Sequence, residues 1–433
     1  MDQTTQNLIS RRDALLGPKA PLFYDQPLHM VKGEGVWLVD ADGRRYLDVY
    51  NNVPNVGHCH PKVVEAICRQ AQALNVHTRY LHETILNYGE KLTGRLDPTL
   101  SMVFLTCSGT EANELALRMA RDYTQAAGII CTNATYHGNS EAVYALATQF
   151  NDGKPLGPNV KSVSFPDSYR RHGNLHGQAL VDAYVQQVEQ AIAEFQQEGV
   201  GFAGLLVCPI FANEGLPDVP DGYLQRVSDV VRTAGGVVIF DEVQSAFGRT
   251  GHFWGHEISA VSPDILVLGK PMGNGHPLAG AICRPELGNG FRDHSMYFNT
   301  FGGNPVSCAA GLAVLEVIDE ESLVDNARNV GGYVRAGLDR LADQFELIGE
   351  VRNQGLFFAV DLVEDRETKK PAAEPAQWIV NEMKRQGVLI SRIGLGDNIL
   401  KMRPPLCFSH DNADQLLSTL ETALTKVSRN DKQ

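Results

Sequence analysis

The sequence predicts an α/β fold, in which a large domain holds a mainly parallel sheet and a smaller domain is α+β. From about Met102 onward, short apolar stretches alternate with segments of helical periodicity. These stretches are apolar along almost their whole length, as is typical of parallel strands that helices cover on both faces. After about residue 325 the order of helices and strands changes, which indicates a second domain.

The elements follow in chain order. Residues 35–49 form a predicted hairpin, because two apolar stretches flank the turn-forming sequence Asp40-Ala-Asp-Gly43. Strands are then predicted over Met102–Thr106, Gly128–Cys131, Gly204–Ile210, Val237–Asp241, Ile265–Gly269 and Ala279–Cys283. Apolar residues at helical spacing predict two of the intervening helices, one with Val181, Tyr184, Val185, Val188, Ile192 and Phe195, the other with Leu224, Val227, Val230 and Val231.

The C-terminal part has an α+β pattern. The predicted elements are a helix near 326–343, a strand over Gly355–Leu362, a helix near 375–387, strands over Val388–Ser391 and Ile399–Met402, and a terminal helix. We therefore predict a large domain over 61–325 and a small domain over 326–433, which residues 1–60 complete.

The composition disfavours several classes of function. With 38 basic and 51 acidic residues the net charge is −13, and no basic stripe is present that could neutralise a nucleic acid backbone. No apolar run approaches the roughly 20 residues of a membrane helix, and the start Met1-Asp-Gln-Thr-Thr lacks a secretion-signal pattern. We expect a soluble, cytoplasmic protein without nucleic acid or membrane partners.

Cysteine and histidine usage gives little sign of a metal. The eight cysteines are scattered without a C-x-x-C pair, which favours reduced, mostly buried thiols. His58-Cys59-His60 is the one candidate cluster, but three adjacent side chains do not easily face one ion. We expect no metal site.

An acid ends one of the predicted strands. Val237–Asp241 is a buried central strand with a carboxylate at its C-terminal end, where ligands bind in open α/β sheets. Taken alone, a carboxylate in this position is more often a helix cap or a solvated strand end.

A lysine follows the next strand. At the exit of a buried strand Lys270 would be partly desolvated, and desolvation favours the neutral, nucleophilic amine. Gly273 and Gly275 allow the backbone to approach a cofactor closely. A phosphate-binding P-loop is a weak alternative, because its glycines would precede the lysine rather than follow it.

The third feature is a turn between strand and helix at Thr106-Cys-Ser108-Gly109-Thr110-Glu111. The free N–H groups at the start of the helix suit a phosphate. A simple capping box, Ser108-x-x-Glu111, predicts the same helix start without a ligand.

Together, an anion site, an acid and a lysine at separate strand ends are what a phosphorylated aldehyde cofactor with a pyridine nitrogen requires. That description fits pyridoxal 5′-phosphate (PLP).

The motifs resemble those of class III aminotransferases, which have the aspartate aminotransferase-like fold of PLP fold type I. The resemblance rests on Cys107–Asn113, Tyr136-His137-Gly138, Phe240–Gly251, Pro263–Lys270 and Phe298–Pro305, and covers nearly the whole chain. It implies a homodimer or a dimer of dimers with shared active sites.

The resemblance also implies roles for individual residues. Lys270 would carry the cofactor as a Schiff base and move protons, while Asp241 would pair with the ring nitrogen. Val243 and Tyr136 would pack on the two faces of the ring, Gln244 would reach its hydroxyl, and His137 belongs to the same site. Ser108, Gly109 and Thr110 would hold the phosphate, together with Thr300 of the neighbouring subunit.

The sequence departs from the motif common to class III transaminases at positions that bear on which reaction is catalysed. Where many transaminases have Glu-Pro-Ile-Gln-Gly-Glu-Gly, this chain has Cys208-Pro-Ile-Phe-Ala-Asn213-Glu214-Gly, so the usual gating glutamate is missing or shifted by one. The runs Asn51–Pro61, His77–Glu83, Gly269–Pro277 and Pro404–Phe408 resemble the ethanolamine-phosphate phospho-lyase subgroup.

That likeness favours elimination of phosphate from an amino alcohol phosphate, with release of ammonia and an aldehyde. The alternatives are an ω-transaminase, or a PLP-fold binding or regulatory protein without turnover, which intact Lys270 and Asp241 disfavour. Arg79 and Arg403 are the leading candidates for binding the substrate phosphate, since arginine suits bidentate contacts. Further substrate-binding candidates are His77, Lys401, Tyr50 and Asn51.

Overall fold

The computed structural model describes residues 3–149 and 156–430. Its helices are Gln3–Leu16 (α1), Pro61–Ala73 (α2), Glu83–Thr93 (α3), Gly109–Thr124 (α4), Glu141–Tyr144 (α5), Gly177–Gln197 (α6), Tyr223–Thr233 (α7), Pro285–His294 (α8), Pro305–Glu320 (α9), Leu323–Gln344 (α10), Ala373–Arg385 (α11) and His410–Asn430 (α12). A short 3₁₀ helix spans Gly255–Ile258.

The first ten strands are Met30–Glu34 (β1), Trp37–Asp40 (β2), Arg45–Asp48 (β3), Met102–Thr106 (β4), Gly128–Thr132 (β5), Val160–Val163 (β6), Phe202–Val207 (β7), Val237–Asp241 (β8), Ile265–Leu268 (β9) and Ala279–Cys283 (β10). The remaining strands are Ile348–Gln354 (β11), Phe357–Asp365 (β12), Lys370–Pro371 (β13), Val388–Leu389 (β14), Ser391–Ile393 (β15) and Ile399–Met402 (β16).

A seven-stranded sheet forms the centre of the large domain, in the order β4-β10-β9-β8-β7-β5-β6. Only β10 runs antiparallel to its neighbours. Along β8, Val238 and Phe240 join one apolar cluster and Val237 and Ile239 join another, so the strand buries both faces. The predicted α/β fold with a mainly parallel sheet is confirmed.

The predicted and the observed strand boundaries agree for some strands and differ for others. The bounds predicted for β4, β8 and β10 match the structure. The strand predicted over Gly204–Ile210 instead starts at Phe202 and ends at Val207, because the Phe211 N–H bonds back to Cys208 O and turns the chain. The sequence does not predict β6, since Lys161 and Ser162 interrupt its short apolar pattern.

The C-terminal part contains an antiparallel sheet in the order β11-β12-β16-β15. The single strand predicted over Val388–Ser391 is wrong, because the structure divides it between two sheets. Val388–Leu389 pairs in parallel with β3 of the N-terminal hairpin, whereas Ser391 starts a strand that pairs with β16. The pairing of β14 with β3 joins the N-terminal hairpin to the C-terminal part. The domain boundaries at residues 60 and 325 remain a prediction.

Two further findings concern the helices. The sequence pattern does not predict α1, which is the first helix of the chain. Among the described residues, none of the helices is long and apolar enough to cross a membrane. The cytoplasmic location stays a prediction.

Candidate active site

A cavity of about 150 Å³ opens at the carboxyl ends of the central strands. Its lining comprises Gly109, Thr110, Tyr136, His137, Gly138, Cys208, Asn213, Asp241, Val243, Gln244 and Lys270. These residues follow or end β4, β5, β7, β8 and β9, which run in the same direction and therefore deliver them to one edge of the sheet. Eight of the residues predicted to bind a cofactor lie here together.

Asp241 is a buried carboxylate held by three donors. His137 Nδ1 donates to Oδ2 over 2.6 Å, Asn113 Nδ2 donates to Oδ2 over 3.0 Å, and the Val243 N–H donates to Oδ1 over 3.0 Å. Burial by itself would raise the pKa of Asp241, but these hydrogen bonds outweigh it and the pKa is lowered. The side chain is therefore an anion at neutral pH, and its surroundings are not those of a helix cap or a solvated strand end.

Lys270 enters the cavity from the end of β9. Its surface remains accessible from the cavity, although protein surrounds it on most sides. Desolvation lowers the pKa of Lys270, partly opposed by Asp241, while Arg403 lowers it further. The amine is consequently more available as a nucleophile than that of a surface lysine.

The start of α4 offers unpaired backbone donors. Ser108 caps the helix by accepting from the Glu111 N–H over 3.3 Å, and Glu111 accepts from the Cys107 N–H over 2.7 Å. The cap predicted from Ser108 and Glu111 thus exists, but it leaves the amides of Gly109 and Thr110 without an acceptor in the described part of the chain. Both residues line the cavity, so the cap and an anion site coexist there.

Small residues shape the cavity between Lys270 and the helix. A Cβ on Gly109 would lie 3.0 Å from Val243 Cγ2, and a Cβ on Gly138 would lie 2.6 Å from Thr110 Oγ1. Any side chain at Gly138 would also be strained, because its φ is +151°. The backbone therefore approaches Val243 and Thr110 more closely than residues with a Cβ would allow.

A chain of hydrogen-bonded polar side chains, which we call the polar row, reaches the cavity and consists of Asn213, Gln244 and Arg403. Asn213 donates to Tyr136 O over 2.8 Å and accepts from Gln244 Nε2 over 2.8 Å, and Gln244 Oε1 accepts from Arg403 Nη1. Glu214 instead faces away from the cavity, where Thr132 Oγ1 donates to Oε1 over 2.6 Å. An amide therefore lines the cavity at position 213 and the neighbouring carboxylate does not.

The basic side chains predicted to bind substrate divide into a buried pair and a pair at the surface. Arg403 and Lys401 are buried at 5% and 4% exposure, and desolvation lowers the pKa of both. The Arg403 guanidinium lies 4.9 Å from the centre of the Tyr50 ring, which orients it next to Gln244. Asn51 lies one residue on and donates to Asp48 Oδ2 over 2.9 Å, so its amide is already engaged.

The second pair, exposed Arg79 and half-buried His77, lies on a surface formed by the 74–82 loop and the 295–304 loop. Arg79 stacks on the Phe298 ring at 4.0 Å, and His77 meets the same ring edge-on at 5.7 Å. Neither side chain lines the cavity of its own chain, and Thr300 is exposed on the same surface. We refer to these two loops as the Phe298 surface.

The residues that bond Asp241 and His137 from outside the cavity lining, Asn113 and Thr135, gave no prediction from the sequence. Asn113 lies on the buried face of α4, where one polar residue among alanines and leucines could have signalled a buried partner. Thr135, which contacts His137 Nε2 over 3.0 Å, carried no such signal.

The two histidines of the candidate metal cluster have other contacts. His58 bonds Asp48 over 2.7 Å, whereas His60 bonds Glu321 over 3.0 Å. They face different partners and do not converge on one point.

The donor set of the cavity fits PLP. Lys270 provides an amine for the aldehyde, Asp241 an anion for a protonated ring nitrogen, and the free amides of Gly109 and Thr110 a place for the phosphate. Val243 and Tyr136 line the same cavity and would offer an apolar and an aromatic surface to a flat ring.

Known proteins show the same architecture. Residues 23–424 match the family described as aminotransferase class-III. A Drosophila melanogaster protein named alanine–glyoxylate aminotransferase 2-like is 40% identical over 97% of this chain and 87% of its own length. A Caenorhabditis elegans protein named ethanolamine-phosphate phospho-lyase homolog 1 is 34% identical over 99% of this chain and 95% of its own. The solved Arthrobacter phospholyase in complex with phosphoethanolamine superposes with a TM-score of 0.94, at 46% identity, over 96% of this chain and 99% of that one.

Proposed function

This chain belongs to the class III aminotransferase family of fold type I and uses PLP, and on that premise we propose that it is a phospho-lyase. Its substrate would be phosphoethanolamine or a similar amino alcohol phosphate, and its products phosphate, ammonia and an aldehyde. The observation that carries the proposal is the arrangement at Asn213 and Glu214, together with the 46% identity to the Arthrobacter phospholyase.

The polar row of Asn213, Gln244 and Arg403 affects whether the site can accept two different substrates in turn. A transaminase must accept an amine donor and a keto acid in turn. The family pattern places a glutamate in the stretch where Asn213 now lines the cavity, and Glu214 is turned away to Thr132. With a neutral amide there, Arg403 bonds Gln244, and no carboxylate of the described residues forms an ion pair with its guanidinium. The arrangement favours an enzyme that processes one amine substrate.

The chemistry divides between cofactor and protein. When bound, PLP supplies an electron-withdrawing ring that weakens the C–H bond on the amine-bearing carbon of the substrate. We assign Lys270 to remove that proton and Asp241 to hold the ring nitrogen protonated. As phosphate leaves the neighbouring carbon with the electron pair of its C–O bond, the pair left by the removed proton would form a double bond between the two carbons. Hydrolysis of the resulting enamine would release ammonia and the aldehyde.

We further propose a homodimer, or a dimer of dimers, whose subunits share active sites. The Phe298 surface exposes Leu81 at 98%, Met296 at 88% and Phe301 at 70%, which is unusual for apolar side chains of a monomer. Thr300 lies among them, where a partner's cofactor phosphate could accept its hydroxyl proton. Arg79 on the same surface would bring its guanidinium to the partner's cavity.

A transaminase is the second candidate, favoured by the 40% identity to the alanine–glyoxylate aminotransferase 2-like protein. One assay separates the two. The PLP-loaded protein receives phosphoethanolamine without any keto acid, and phosphate and ammonia are measured together. A phospho-lyase should release both in equal amounts over many turnovers, because elimination needs no second substrate. Release that stops after one turnover per site would assign the chain to the transaminases.

A variant pair tests the phosphate contact. Arg79→Ala should lose about 10²-fold in kcat/KM on phosphoethanolamine, the order expected for a lost charge-assisted contact, and far less on an unphosphorylated amine with a keto acid. Arg45→Ala is the matched control, since Arg45 is an exposed arginine that stacks 4.4 Å from the Trp37 ring. Equal losses on both substrates would make Arg79 a structural residue.

A further inference from the structure

A hydrogen-bonded turn follows the last strand of the N-terminal hairpin. Asp48, which ends β3, is buried, and its Oδ1 accepts from the backbone N–H groups of Tyr50 over 3.0 Å and Asn51 over 2.9 Å. Its other oxygen, Oδ2, accepts from Asn51 Nδ2 over 2.9 Å and meets His58 Nε2 over 2.7 Å. An aspartate that bonds the backbone amides just after it closes a local turn. The Asp48 side chain therefore fixes the conformation of residues 49–51.

The same turn contacts Arg403 at two points. The Arg403 backbone N–H donates to Val49 O over 2.7 Å, and the guanidinium lies 4.9 Å from the centre of the Tyr50 ring. Phe23 supports that ring edge-on, with the two ring centres 5.0 Å apart. In this position the guanidinium bonds Gln244, which lines the cavity.

The Arg403 side chain depends on such support. Arg403 is 5% exposed, forms no ion pair with a carboxylate within residues 3–149 and 156–430, and its Nε has no hydrogen-bond partner there. Desolvation lowers the pKa of Arg403, and Tyr50 and Asp48 oppose that shift. Because a long side chain loses rotamer freedom when it is held in one place, neighbouring groups have to select its conformation.

We propose that Asp48 is a positioning residue for Arg403: by fixing the turn over residues 49–51, it holds the Val49 carbonyl and the Tyr50 ring in place and so keeps the guanidinium beside Gln244. Asp48 does not line the cavity and acts only through that turn. The inference deepens the proposed function, on which it rests for the role of Arg403 as a substrate-binding residue. The link from Asp48 to Arg403 does not depend on whether the reaction is elimination or transamination.

The test reads the Arg403 side chain directly, by NMR of the PLP-loaded protein with ¹³C,¹⁵N-labelled arginine. The signals are assigned by their loss in Arg403→Lys. In the wild type the two terminal nitrogens should give separate signals, because the Tyr50 ring and the bond to Gln244 restrict rotation of the guanidinium. In Asp48→Ala the turn is released, and rotation should become about tenfold faster, the factor that corresponds to one lost hydrogen bond. Rotation as slow as in the wild type would overturn the proposal.

A conservative variant separates the turn from the charge. Asp48→Asn keeps an oxygen for the backbone N–H groups of Tyr50 and Asn51 but has no negative charge, so Arg403 should rotate as slowly as in the wild type. Asp48→Ser, whose hydroxyl closes such turns more weakly, should lie between these variants and serves as the test if Asp48→Ala does not fold. Rotation in Asp48→Asn that is faster than in Asp48→Ser would mean that the charge and not the turn acts on Arg403, which would contradict the inference.

Asp40 provides the matched control, because it ends β2 and closes a turn of its own. Its Oδ1 accepts from the N–H groups of Asp42 over 3.1 Å and Arg44 over 2.9 Å, and the Tyr46 hydroxyl donates to Oδ2 over 2.9 Å. Asp40→Ala should leave the Arg403 signals unchanged. A change as large as that in the alanine variant of the proposed residue would assign the effect to the hairpin as a whole and contradict the inference.

Kinetics then test the part that rests on the proposed function. On phosphoethanolamine, Asp48→Ala should raise KM about tenfold and leave kcat within about twofold, since weaker binding of substrate and transition state alike changes KM and not kcat. An unchanged KM together with faster rotation of Arg403 would reject the substrate-binding role of Arg403, whereas unchanged rotation rejects the link from Asp48 itself. Failure of the phospho-lyase assay would leave the NMR result unaffected.

Discussion

At the scale of single residues, Lys270 and Asp241 illustrate how hydrogen bonding decides which of two buried groups keeps its charge. Desolvation disfavours the charged form of both. Lys270 has no hydrogen-bonding anion in the described residues, so its pKa falls. Asp241 has three donors, and its pKa falls as well, which for a carboxyl means that it keeps its charge. Hydrogen bonding, and not burial alone, makes one group a base and the other a permanent anion.

We predict that Lys270→Ala abolishes turnover but retains cofactor. The phosphate and ring contacts lie on other residues, so the variant should still bind PLP without a covalent bond, while activity falls by about 10²–10⁴-fold or more. Borohydride reduction of the wild type, followed by peptide mass mapping, should place the cofactor on Lys270. Labelling of another lysine would contradict the assignment.

Asp241→Asn should cost about 10³-fold or more in kcat, because a neutral amide cannot hold the ring nitrogen protonated. Asp264→Asn is its control, since Asp264 is equally buried but bonds the Val238 N–H over 2.8 Å and lies outside the cavity. That variant should unfold at a lower temperature and keep most of its activity at 25 °C. Near wild-type activity of Asp241→Asn would mean that the carboxylate is structural.

At the scale of single elements, strand β11 carries a carboxyl with an unusual titration. Burial raises the pKa of Glu350 to about 7, with Arg352 opposing and Asp167 and Asp361 adding to it. Because the folded protein holds this proton more tightly than the unfolded chain, the associated stability is fully present below about pH 4.5. It is lost as pH rises through 7.

The consequence is measurable by urea unfolding of Glu350→Gln. Relative to this variant, the wild type should be more stable at pH 5 than at pH 8, by about 2–3 kcal/mol in the free energy of unfolding. Glu364→Gln removes an exposed ion pair with Lys370 and should show no such pH dependence. An equal difference between wild type and Glu350→Gln at both pH values would exclude the raised pKa.

At the scale of the whole molecule, the proposed dimer makes each cavity depend on two chains. Thr300→Ala should then weaken PLP retention on dilution by about tenfold, the loss expected for one hydrogen bond to a charged group, while the unfolding temperature of the apoprotein stays near that of the wild type. Thr422→Ala, on an exposed turn of α12, should affect neither. A species that sizes as a monomer and remains fully active would rule out shared sites.

The features that depend on local pattern follow from the amino-acid sequence alone. The run 237–240 and the strand Ala279–Cys283 contain no charged side chain, so both their strand character and their burial can be predicted from the chain. Since the ends of parallel strands meet at one edge, the same pattern also predicts that Asp241 and Lys270 lie close together. The turn at Ser108 likewise sets the start of α4.

The partner that each polar group meets depends instead on tertiary packing. Glu214 turns to Thr132 of β5 while its neighbour Asn213 lines the cavity, and His137 reaches Asp241, through contacts between residues far apart in the sequence. The chain around Ile390 divides between two sheets because β3 and β16 each offer an edge. The spacing of residues along the chain determines the periodicity of helices and strands. The hydrogen-bonding partners of buried polar groups are often distant in sequence, so only the packing of the folded chain selects them. The reason is that a buried polar group must find its partner within the folded protein.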